Sequence, residues 1–169
     1  MLRYKFLLFL TITFNFISLS SISPSLAQVS SIPQPSEAPL ELDLLTKPKG
    51  SVITSDTINL SGLSTPSLWW ARDSSENKLL DNWIAYPATE KGVGRVDLIV
   101  NQQIWSLLDY LERYNFINRL GSTARRDSYN VRVFNYQKEL LGTYTCSFNS
   151  SPSNCNIELN TQDKLRRYQ

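Results

Sequence analysis

The order of elements along the chain predicts an α+β domain: an antiparallel sheet of about four to five strands with two helices packed on one face. Three observations carry that expectation. Residues 95–121, RVDLIVNQQIWSLLDYLERYNFINRLG, pass from an apolar strand pattern through Asn101 into the spacing of an amphipathic helix. Two alternating stretches, 130–136 and 140–148, follow that helix and read as strands. Cys146 and Cys155 then bracket a polar turn, and alternating apolar positions flank both.

Residues 1–27 have the parts of a secretory signal: Arg3 and Lys5, an apolar run over 6–19, and a small-residue ending Ser25-Leu26-Ala27 with cleavage expected after Ala27. The apolar run is interrupted by Thr11, Thr13 and Asn15. It falls short of the roughly 20 apolar residues that a membrane span needs. No transmembrane span is therefore expected in the mature chain. Of 17 basic residues the signal holds two and of 15 acidic residues none, so the mature chain is formally neutral, and no nucleic-acid partner is expected.

Residues 28–55 are rich in Ser and Pro, with Pro33, Pro35, Pro39 and Pro48 spread through them. Proline at this density denies helix and ladder hydrogen bonds alike, and a disordered linker is expected. Leu40, Leu42, Leu44 and Leu45 form a small apolar patch within it that offers a short docking segment.

One globular domain is expected over 56–160, with a flexible tail over 161–169. Thr65-Pro66 has the form of a helix start, a capping hydroxyl followed by Pro at the first helical position. Residues 79–86, LLDNWIAY, fit a strand or a second helical piece; the strand is preferred because Gly92-Val93-Gly94 then turns it into the strand 95–100 as an antiparallel hairpin. Asn101 caps the next helix, with Leu107, Leu108, Leu111 and Tyr114 on its core face. Asp109 and Arg113 stand one turn apart as a surface ion pair. Gly121 either stops this helix or lets it run on to about Asp127. The pair Cys146 and Cys155 falls on one side of a terminal hairpin, and a disulfide is expected, since the chain reads as exported.

The chain contains no histidine. That removes Ser-His-Asp and Cys-His sites, the usual zinc sets and the common general base near neutral pH. No phosphate-binding glycine loop is present, and no cofactor or metal is expected. A carboxylate pair, Asp81 and Asp97 across the first hairpin, is the one common catalytic plan left open. Trp69, Trp70, Arg72, Trp83 and Tyr86 are the candidate partner-binding surface, because Trp, Tyr and Arg supply much of the energy at interfaces. The same aromatics also suit the core of a small domain.

The segments PSLWWARD at 66–73, LLDNWIAYP at 79–87, the stretch 95–121 and YNVRVFN at 129–135 together resemble a family of small exported cyanobacterial proteins without an assigned activity. The resemblance covers most of the domain and implies a periplasmic or thylakoid-lumen location. It assigns a role to no residue. The expectation that follows is an exported, non-catalytic binding or assembly-associated protein. The alternative is a cell-wall or polysaccharide binding or cleaving protein that uses exposed Trp and the two carboxylates.

Overall fold

The computed structural model describes residues 32–57, 68, 78–90 and 92–160. Among these residues, six strands form one sheet in sequential order: β1 Ile53–Thr54, β2 Leu80–Tyr86, β3 Gly94–Val100, β4 Tyr129–Phe134, β5 Leu140–Ser147 and β6 Asn154–Leu159. Neighbours are antiparallel except β3 and β4, which run parallel. The sheet is thus mixed and larger than the expected antiparallel sheet of four to five strands. The parallel pair follows from the connection: the helical segment between β3 and β4 carries the chain back to the starting end of the sheet, as a parallel neighbour requires. The β2–β3 hairpin forms as the sequence suggests, closed by a bridge between Thr89 and Gly92.

The single helix expected over 101–121 is two helices, α1 Gln102–Leu107 and α2 Tyr110–Arg125. Asn101 does cap α1, its side chain accepting from the N–H groups of Gln103 and Ile104. Leu108 then adopts an extended conformation. Asp109 restarts the chain with a capping box, its carboxylate accepting from the Glu112 N–H while the Glu112 carboxylate accepts from the Asp109 N–H. Asp109 is therefore a cap and does not form the expected pair with Arg113. Arg113 instead donates from Nε to the Trp105 carbonyl at 3.2 Å and places its guanidinium 5.4 Å from the Trp105 ring centre, bracing the corner.

The break changes which residues are buried. Leu107 and Leu111, expected in the core, are 83% and 65% exposed, and Leu108 only packs at its margin. The buried side of α2 is Phe116, Ile117, Leu120, Gly121 and Ala124. A 3.6-residue spacing read through Leu107 assumes one helix axis, and a second cap at Asp109 starts a second one. Gly121 lies inside α2 and does not end it: a Cβ there would run into the Tyr144 ring on β5, so the missing side chain sets how closely helix and sheet approach.

The main core lies on the α2 side of the sheet, where Trp83, Val96, Leu98, Val131, Val133 and Cys146 meet Trp105, Phe116, Ile117 and Leu120. Leu68 is helical and buried in this cluster; the rest of the helix expected from Thr65 lies outside the described residues. The opposite sheet face is covered by the stretch expected as a linker. Residues 32–41 cross it without regular secondary structure and lead into a 3-10 turn, Leu42–Leu45. Leu40 and Leu44 are buried there against Ile84, Ile99 and Phe134. Leucine burial and side-chain hydrogen bonds hold this strap, neither of which proline forbids. Cys146 and Cys155 are joined by a disulfide across directly opposed positions of β5 and β6. No helix among the described residues is long and apolar enough to cross a membrane.

The two-helix arrangement has a direct test by chemical denaturation. Leu120→Ala is expected to cost about 2–5 kcal/mol, as for a truncated core leucine. Leu111→Ala is expected to stay within about 0.5 kcal/mol of the native chain, as for an open surface site. Equal losses at the two sites would restore the single straight helix.

Candidate functional site

Alternation along β3 and β4 puts Arg95, Asp97 and Ile99, with Asn130, Arg132 and Phe134, on the face beneath the strap. The parallel register sets Asp97 directly beside Arg132. Arg132 grips the carboxylate with both ends of its fork, Nε to Oδ1 at 2.8 Å and Nη2 to Oδ2 at 2.7 Å. Its Nη1 donates to the carbonyls of Ser36 and Ala38 at 2.7 and 2.6 Å. Arg95 approaches the same carboxylate, Nε to Oδ1 at 3.3 Å, and donates from Nη1 to the Ser36 hydroxyl at 3.2 Å. Asp97 is fully buried and the Arg132 side chain nearly so, the setting in which a charge must be matched in geometry and in hydrogen bonds.

The Arg95 guanidinium lies 3.9 Å from the centre of the Tyr86 ring. Burial pushes the Tyr86 phenol from its ordinary value of 10.0 up to about 12; the Asp97 charge adds to the rise, and Arg95 opposes it. Beside this cluster a cleft of about 280 Å³ opens between the strap and the starts of β3 and β4, lined by Pro35, Val93, Arg95, Asn130, Arg132 and Thr145 among others.

These contacts show what the arrangement is able to do. The Asp97 carboxylate already carries the paired fork of one arginine and the edge of a second, so no oxygen is left exposed to polarise a water or a substrate. Nor does Asp81 join it. The β2–β3 register sets Asp97 opposite Ile84, whereas Asp81 sits three residues away at the irregularity between Leu80 and Asn82. The expected carboxylate pair is not assembled, because pairing register is a property of both strands together. Among the described residues no three His, Cys, Asp or Glu side chains gather where a metal ion would fit.

The candidate partner-binding surface is likewise redistributed. Trp83 is fully buried in the main core, and Tyr86 lies half-buried under Arg95 on the other face; successive strand positions alternate, so residues three apart diverge. Trp69, Trp70 and Arg72 lie outside the described residues. Among the described residues, Leu107, Leu111 and Tyr114, which periodicity assigned to the core, are exposed at the α1–α2 corner together with Tyr110, whose ring stacks on that of Tyr114 at 6.4 Å. Sequence reasoning missed this corner; the Asp109-x-x-Glu112 capping-box spacing is the signal that could have found it.

No family model, curated protein or solved structure matches the chain.

Two measurements probe the cluster. Arg132→Met leaves Asp97 buried without its fork and is expected to cost about 3–5 kcal/mol in denaturant unfolding, with Arg132→Met/Asp97→Leu regaining part of the loss. For Tyr86, the native state holds the phenolic proton more tightly than the unfolded chain does. Its stabilisation is therefore intact below about pH 10 and is lost as pH rises toward about 12. Tyr86→Phe should flatten that alkaline decline, followed by thermal unfolding between those values.

Proposed function

We propose that the chain is an exported, non-catalytic binding or assembly-associated protein of the periplasm or thylakoid lumen, and that the α1–α2 corner is where it meets a protein partner. The observation that carries this reading is the exposure of Leu107, Tyr110, Leu111 and Tyr114 together: 83%, 49%, 65% and 37%. A single exposed leucine on a soluble domain calls for no explanation, but contiguous large apolar groups rimmed by polar ones mark interaction sites. Gln103 and Glu112, on the same two helices, are exposed polar residues. Tyrosines suit such a surface because a rigid ring buries area while its hydroxyl stays hydrogen-bonded.

Two further features support the reading. The polar groups best placed for chemistry, Asp97 and Arg132, are consumed in holding the fold. The disulfide is compatible with an oxidising compartment. The polysaccharide alternative rested on the Asp81 and Asp97 pair and on exposed Trp83; with the pair apart and Trp83 in the core, it retains only Trp69 and Trp70 as support.

The test compares the native chain with Leu107→Glu/Leu111→Glu. Both positions are open, so the thermal midpoint should hold within a few degrees. A partner that crosslinks to the native chain in the exported compartment should be lost from the double variant by at least about tenfold. Retained crosslinking, or binding to purified peptidoglycan that the substitutions leave intact, overturns the reading.

A further inference from the structure

The two edges of the sheet are built differently. The β1 edge is only the two residues Ile53–Thr54. The β6 edge is six residues long, and its register with β5 is unbroken from Gly142↔Leu159 to Ser147↔Asn154. Proteins usually blunt a free edge by shortening it, bulging it, or placing lysine or proline on it. The first of these protects β1. None protects β6, whose sequence NCNIEL has one charged residue, Glu158, and which is fastened to β5 by the disulfide.

The direction of the backbone groups follows from one hydrogen bond. The Asn160 N–H donates to the Leu141 carbonyl at 2.9 Å, so position 160 points toward β5. In an antiparallel ladder alternate residues point the same way, which turns Asn154, Asn156 and Glu158 toward β5. Cys155, Ile157 and Leu159 then direct their N–H and C=O groups to the open edge. No strand among the described residues pairs there. The side chains of the same three residues lie half-buried on the α2 side, while those of the even positions are exposed on the other.

We propose that β6 is the interface of a two-fold symmetric dimer, in which two copies of this chain pair antiparallel about Ile157 and continue the sheet from one protomer into the other. The chemistry of the edge selects the second copy and the register. The three outward-facing residues are symmetric about Ile157. Centring the pair there sets Cys155 beside the partner's Leu159 and Ile157 beside the partner's Ile157. All three residues are then engaged, in about six backbone hydrogen bonds. Centring on Asn156 would leave Leu159 beyond the pairing. Centring on Glu158 would oppose two carboxylates, which is destabilising. In the chosen register Glu158 faces the partner's Asn156, an amide that can donate to it; within one chain Asn156 Nδ2 already donates to the Glu158 carboxylate at 2.9 Å. The half-exposed Cys155, Ile157 and Leu159 side chains become covered on the α2 side. Isologous pairing of this kind is the commonest way for a soluble chain to close its own symmetry.

The experiment uses the full exported chain with its disulfide intact, and light scattering coupled to size exclusion from micromolar to hundreds of micromolar. A dimer is expected to form within that range. Ile157→Lys places two like charges on the axis and is expected to weaken dimerisation by at least about tenfold; because Ile157 packs half-buried at the core margin, the thermal midpoint of the monomer is expected to fall while the chain stays folded. Ile157→Cys supplies an independent reading: residues paired on the axis lie about 5.5 Å apart, within disulfide reach, so mild oxidation should yield a covalent dimer, and Leu111→Cys should not. A chain that remains monomeric throughout overturns the proposal. So does a dimer that withstands Ile157→Lys, or one that crosslinks through position 111 instead of 157.

Discussion

The pairing of Arg132 with Asp97 ties together parts of the chain that are far apart in sequence. Each partner occupies a strand interior where a single charge would be costly, so neither is tolerated without the other. Their match sets the parallel register of β3 on β4. The remaining donors of Arg132 are turned upward to the carbonyls of Ser36 and Ala38, which places the strap across the sheet. Arg95 adds a second cation to the carboxylate and rests on Tyr86, so the neighbouring strand is joined to the same cluster. Guanidinium suits this position because its fixed fork bonds a planar carboxylate and two carbonyls at once, which a lysine ammonium would not reproduce.

The other sheet face is held by close packing. Gly121 admits the Tyr144 ring, and Gly142 admits the end of Ile117, so α2 lies directly on β5. Trp105 meets Phe116 edge to face at 5.9 Å, locking α1 to α2 across their corner. That corner turns Leu107, Tyr110, Leu111 and Tyr114 outward. Among the described residues, the principal buried charges are thus spent internally, and apolar groups are exposed at the corner.

Much of the architecture was legible from local patterns. Alternation marked β4, β5 and β6, the glycine turn marked the β2–β3 hairpin, and the placement of the two cysteines marked their bond. The candidate site was far less so. Trp83 is open from the sequence to a surface or a core reading, and the structure buries it. Asp97 reads as an ordinary strand carboxylate until Arg132, 35 residues later, is set beside it. Leu107 and Leu111 continue a helical stripe by spacing alone, yet the cap at Asp109 ends their claim to the core.

The amino-acid sequence by itself determined the elements whose causes are local: strand alternation, the Asn101 cap, the absence of histidine chemistry and the cysteine pair. Tertiary structure alone decided the direction in which β3 and β4 pair, the docking of residues 32–45, and the partner of Asp97. The physical reason is range. Side-chain spacing and capping act within a few residues and can be read along the chain, whereas register, direction and the matching of buried charges depend on which distant segments the shared core brings together.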